Sequence, residues 1–197
     1  MALQTTLTRA DILPREQYAL DRKRHRQEMV EIKRHRRVAV GPFATFHFES
    51  YATMWLQVHE MLYIEKGGAA QIAEELAAYN PLIPQGRELV ATMMLGIEDA
   101  AERAKILAGL GGIERYITLE VAGHVVSAES ESEVERTKAD GKTSAVHFLR
   151  FRLTDAAITA FGQSGARILL GINHPNYGHI AVVPDSTRMA LASDFSG

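Results

Sequence analysis

The order of elements along this chain predicts an α+β fold: a mainly antiparallel sheet with helices packed on it, and a long basic N-terminal helix. Three observations carry that expectation. Strand-like runs arrive in adjacent pairs split by short turns, at Gly41-Pro42 and Ala122-Gly123; this is the order of hairpins, whereas parallel strands need long crossovers. Helical periodicities group early in the chain. No internal repeat or low-complexity linker interrupts the 197 residues. One domain over 1–197 is therefore expected, made of a basic helix 15–37, an α+β body 38–183 and a tail 184–197.

Thr8 and Asp11 ahead of Pro14 read as a capped turn leading into a helix. Residues 15–37 contain no Gly or Pro, and Tyr18, His25, Met29 and Ile32 fall near one helical face. That stripe is thin for so long a helix, so much of its surface is expected against solvent or another chain. Val38–Val40 and Phe43–Glu49 read as two strands joined at Gly41-Pro42. Ser50 suits the N-cap of a helix 51–66 that Gly67-Gly68 ends, and a further helix runs over 69–79. Two prolines stiffen the loop 80–86. Residues 87–96 read as a strand, although their Leu and Met would also suit a helix, and 98–110 as a helix closed by Gly111-Gly112.

The runs 116–121 and 124–129 read as a tight hairpin, and 130–141 as a polar loop or frayed helix. Ser144–Leu153 is the clearest strand, and alternation puts Ala145, His147, Leu149 and Phe151 on one face of it. It is expected inside the sheet, paired to a strand over 166–172. Thr154 caps a short helix to Phe161; a last strand over 180–183 precedes a tail that forms one more helical turn or stays loose.

Composition excludes several classes. The chain has no Cys, which rules out disulfides, thiolate metal sites and cysteine-ligated clusters within it. No secretory signal pattern opens it, and no apolar run approaches the ~18 residues of a membrane span. A cytoplasmic protein is expected. Charge is unevenly spread: residues 22–37 hold eight Lys or Arg against two Glu, a local +6, while the rest holds 14 against 22, a −8. A basic helix on an acidic body is an asymmetry with functional content.

Candidate chemistry lies in five places. His147 sits in the middle of an apolar strand face, where an imidazole needs a partner to offset its desolvation. His174 and His179 flank a Pro-Asn-Tyr-Gly turn, and with His147 they make a possible open three-histidine site for a divalent metal, zinc or iron. Hydrogen-bonded core and turn histidines are the plainer reading. Glu60, on a helix buried on more than one side, is with His147 a candidate catalytic group; an arginine partner is the alternative. Glu28, Glu31 and His35 share a helical face, read as a surface ion-pair ladder rather than metal ligands. Last, Arg22, Arg26, Lys33 and Arg37 form a candidate partner-binding rim. Glu28 and Glu31 interrupt the basic run and few aromatics interleave with it, so an anion or nucleic-acid binder is the weaker reading of helix 15–37.

The stretches Leu7–Pro14, Arg37–Pro42, Gln57–Met61, Ala78–Pro84 and Ser144–Phe151 resemble a bacterial family known as domain of unknown function 3501, over nearly the whole chain. The resemblance implies no activity and no catalytic residues. It does imply an association with redox or peroxide handling, because such proteins are often encoded beside a rubrerythrin-like protein and a cysteine-rich iron–sulfur oxidoreductase subunit. A homo-oligomeric accessory component that docks such partners through helix 15–37 is the leading expectation. A small metal-dependent enzyme is the alternative.

Overall fold

The structure, a computed structural model, describes residues 3–130 and 143–196. It is α+β, built as a helical layer, a five-stranded sheet and a four-stranded sheet. A turn at Arg9–Asp11 leads into α1 (Arg15–Arg34), followed by β1 (Arg37–Val40), β2 (Ala44–Phe48), α2 (Tyr51–Glu65), α3 (Gly68–Tyr79) and β3 (Glu88–Leu95). Then come α4 (Ala100–Ala108), β4 (Ile117–Val121), β5 (His124–Ser127), β6 (Glu129–Ser130), β7 (Val146–Arg152), α5 (Asp155–Gly162), β8 (Ile168–His174), β9 (Tyr177–Val182) and α6 (Asp185–Ala192). The polar stretch expected to be a loop or a frayed helix lies, beyond Ser130, outside the described residues.

Both sheets are antiparallel, in the orders β1-β2-β3-β7-β6 and β5-β4-β8-β9. Their inner faces share one core, in which Phe46, Phe48, Met93, Leu149 and Phe151 meet Leu119, Val121, Leu170 and Ile172. Alternation along β7 buries His147, Leu149 and Phe151 as expected. The expected partner is wrong, however. β7 pairs with β3 and β6, while β8 belongs to the second sheet between β4 and β9. Two apolar strands of similar pattern carry no signal for which sheet each joins, because both bury one face in the same core.

The two sheets are tied at both sides. On one, β5 runs into β6 through Ala128, so a single extended segment leaves one sheet and enters the other. On the other, the buried Tyr177 hydroxyl accepts from the N–H groups of Phe43 (2.9 Å) and Ala44 (3.0 Å) and donates to Val40 O (2.8 Å). It thereby holds the β1–β2 turn against β9. Gly41 turns there with φ +70°, and a Cβ on it would sit 2.5 Å from the His179 ring and 2.7 Å from the Tyr177 hydroxyl. Only glycine meets both demands.

The tail is not loose. α6 packs near α5, and Asp194 pairs with the buried guanidinium of Arg36, which also donates to Phe48 O (3.0 Å) and Glu49 O (2.7 Å). Arg36, counted with the basic helix by its charge, is thus an internal clamp at the helix-to-strand junction.

The outer face of the five-stranded sheet carries α1, α2 and α3. Leu7, Met54, Val58, Leu82, Ile83 and Val90 form the core under that layer. Ser50 caps α2, its hydroxyl accepting from Thr53 N, and Lys66 ends the helix in the left-handed region. α1 buries only Tyr18 and Met29 along its length. No helix among the described residues is long and apolar enough to cross a membrane.

Candidate functional site

The helical layer concentrates the polar chemistry. Tyr18 faces α2, where its hydroxyl donates to Glu60 Oε1 (2.6 Å). One turn further along α1, Arg22 closes a bidentate pair on the same carboxylate, Nε to Oε1 at 2.8 Å and Nη2 to Oε2 at 2.7 Å. This fork geometry is the strongest form of carboxylate recognition. The Arg22 hydrogen bonds hold the Glu60 carboxyl below its ordinary range, against the opposing effect of burial, and Tyr18 adds to the lowering. Burial and the Glu60 bond push the Tyr18 phenol up. Glu60 is therefore an ionised strut between α1 and α2, with its alternative reading, an arginine partner, realised.

On the basic face, Arg22 is half-buried and turned inward onto Glu60 and the Tyr63 ring, 4.6 Å from its centroid, while it still borders a surface groove with Lys23 and Arg26. Arg26, Lys33 and Arg37 are exposed, and no ion pair holds them among the described residues. They border a surface groove of about 410 Å³ that also includes Met29, Val30, Arg34 and His47. A neighbouring groove is bordered by Lys23, Arg26 and Val30. Val30, 60% exposed, stands among these cations, and Leu20, 87% exposed, adds further apolar surface on α1. Glu28 and Glu31 are spent on Arg24 (3.0 Å) and Arg34 (3.3 Å), the ion-pair ladder read from the spacing.

Aromatic rings fill the junction between α1 and α2. His25 stacks on Tyr18 with centroids 5.7 Å apart, and Trp55 lies 4.0 Å from His59. His59 Nδ1 donates to Trp55 O (2.7 Å) and Nε2 accepts from Leu13 N–H (3.0 Å), which fixes the neutral tautomer. Burial is the main cause that lowers its pKa. Leu13 is thereby pinned, and with it the segment entering α1.

That segment, the end of α2 and the start of α3 enclose a second recess of about 410 Å³. Ile12, Leu13, Leu62 and Ile72 are half-buried on its walls, Tyr18 and His59 are buried behind them, and the exposed Arg9, Arg15 and Lys66 stand at its mouth. Sequence reasoning missed it. Its only signals were the apolar Ile12-Leu13 after a capped turn and a lysine before Gly67-Gly68.

The structure does not gather the three histidines with one another or with carboxylates into a group of ligands among the described residues. His147 is fully buried; Nε2 donates to Ser144 O (2.9 Å) beside Thr143 Oγ1 (3.2 Å), and Nδ1 faces Glu114 Oε2 at 3.8 Å. His174 accepts from Asn176 N–H (3.2 Å) and meets the Tyr116 ring edge-on. His179 lies against Tyr177 and Gly41. Among the described residues no group of three His, Asp or Glu comes together that could hold a metal ion. Each imidazole has a structural task instead: His147 joins its strand to the turns around it, and the other two shape the β8–β9 hairpin.

Comparison with known proteins places this architecture. No curated protein matches the chain. A crystal structure of a novel protein of unknown function from Burkholderia pseudomallei K96243 is 38% identical, with 97% of this chain and 100% of that one covered and a TM-score of 0.89. The family described as Protein of unknown function (DUF3501) matches residues 6–195, and the chain belongs to that family.

Proposed function

We propose that this protein is an accessory component that docks an acidic protein partner through α1, in the redox or peroxide-handling setting implied by the family resemblance. The observation that carries the reading is the set of exposed cations Arg26, Lys33 and Arg37, bordering a groove with Val30 and unmatched by any ion pair among the described residues. Exposed cations around unpartnered apolar groups fit a polar-rimmed interface, in which the charges steer and the apolar groups supply contact. A phosphate-backbone surface gains nothing from the exposed Val30, and the Tyr63 ring at the edge of the neighbouring groove is already covered by Arg22. A homo-oligomer belongs to the same proposal, with solution mass as its test.

The partners to try are a rubrerythrin-like protein and a cysteine-rich iron–sulfur subunit. Purified protein immobilised on a biosensor should bind one of them saturably. The triple reversal Arg26→Glu, Lys33→Glu, Arg37→Glu should weaken that binding while the fold, read by circular dichroism, is kept. Equal binding by the triple variant, or stronger retention of nucleic acid than of either protein, would overturn the proposal.

A further inference from the structure

The recess between α1, α2 and α3 goes beyond the docking surface, and we infer that it is a binding site for a small amphipathic carboxylate, with an apolar body the size of a medium-length acyl chain. Three features on separate segments agree on that class. Its volume, about 410 Å³, is within the range of small-molecule sites, roughly 300–1,000 Å³. Its walls are apolar and unfilled: Ile12 from the entry segment, Leu62 from α2 and Ile72 from α3 leave half-buried surface facing the space. A ligand with an apolar body removes that surface from water.

The charge at the mouth selects the head group. Arg9, Arg15 and Lys66 come from three different segments, and no acidic side chain borders the recess among the described residues. Arg15 is already oriented, its guanidinium 5.0 Å from the Tyr63 ring centroid and near Tyr63 O (3.5 Å). Arg9 and Lys66 are exposed. Three cations at one opening repel each other, and an anion between them relieves that repulsion. The polar groups behind the walls are already spent: Tyr18 donates to Glu60, and both His59 nitrogens are bonded. Tyr18 and His59 thus have no free donor for a ligand, and the charged groups that can recognise an anion are those at the mouth. The site is formed by residues other than Arg26, Lys33 and Arg37, so it stands or falls independently of partner docking.

The test is calorimetric titration of the whole protein with decanoate, decanol and decyltrimethylammonium, each below its micelle concentration. Decanoate should bind saturably with one site per chain, and the neutral and cationic analogues at least about tenfold more weakly. Arg9→Glu with Lys66→Glu should lower decanoate affinity at least about tenfold, with the melting temperature as the folding control. Ile72→Trp, which fills the space from the α3 side, should abolish binding and leave the mouth intact. Decanol binding as tightly as decanoate, decanoate affinity unchanged in the double variant, or no saturable decanoate binding would each overturn the assignment.

Discussion

Replacing His59 with leucine tests how the helical layer is held. The imidazole does two jobs: it packs against Trp55 and Tyr18, and its Nε2 takes the N–H of Leu13. Leucine keeps most of the packing and removes the acceptor, while Trp55 O keeps its helical bond. One partly buried N–H is then left without its partner, which costs about 1–3 kcal/mol. For a chain of this size that lowers the melting temperature by about 2–12 °C. The effect is also pH-dependent, with a definite sign. Burial lowers the folded-state pKa of His59, and nearby His25 acts in the same direction. Below its ordinary value of ~6.5 the unfolded chain takes up the proton first, so the His59 contribution is full above that pH and is lost as pH falls toward the folded value. Thermal melts at pH 7.5, 6.5, 5.5 and 4.5 read both effects. The gap between wild type and His59→Leu should be largest at pH 7.5 and shrink with acid. Burial also lowers the His47 pKa, but His47 is present in both proteins and cancels in the difference. A gap that is absent at pH 7.5, or that widens with acid, would refute the assigned tautomer and its bond to Leu13.

Other perturbations probe separate parts of the account. Tyr177→Phe removes three hydrogen bonds between the sheets, two of them fully buried; at about 1 kcal/mol each it should cost ~3 kcal/mol in urea unfolding. Gly41→Ala meets both a left-handed φ and a filled space, so it should destabilise by more than the ~1 kcal/mol typical of conformational strain alone, read by the same melts. Asp194→Ala strands the buried Arg36 guanidinium; a loss of about 3 kcal/mol, the lower end for broken buried pairs, is expected because the carbonyl partners survive. Glu60, whose folded pKa is depressed, contributes stability that is full above its unfolded value of ~4.3 and lost as pH falls through the folded one. Glu60→Gln should therefore flatten the acid limb of stability against pH.

Much of the fold was legible because local chemistry dictates it. Ser50 as a cap, the breaks at Gly67-Gly68 and Gly41-Pro42, and the alternation that buries His147 follow from backbone and burial rules acting over a few residues. The hairpin pairs β1–β2 and β4–β5 were legible from their turns, but pairing across longer connections was not. The inner faces of β7 and β8 both feed the same core, so their apolar patterns do not say which sheet each joins.

Beyond the local ion-pair ladder of Glu28 and Glu31, charge was legible only as a sum. Arg22, Arg36 and Arg37 read alike in sequence, yet Arg22 grips Glu60, Arg36 is buried on Asp194, and Arg37 is exposed. Which acid meets which base depends on helix packing across tens of residues. The His174–His179 spacing invited a metal reading for the same reason: spacing shows which side chains share a turn, not which partners satisfy them first. The recess was illegible because its walls come from three segments, each with an unremarkable pattern.

Docking through α1 is the central claim, and its most direct measurement is the salt dependence of partner affinity. Binding of the rubrerythrin-like or iron–sulfur partner to wild type should weaken steadily between ~50 and ~300 mM salt, as the screening length shortens toward contact distances. The Arg26→Glu, Lys33→Glu, Arg37→Glu variant should bind more weakly at low salt and show a flatter dependence. An affinity indifferent to salt, or a variant as tight and as salt-sensitive as wild type, would contradict the account.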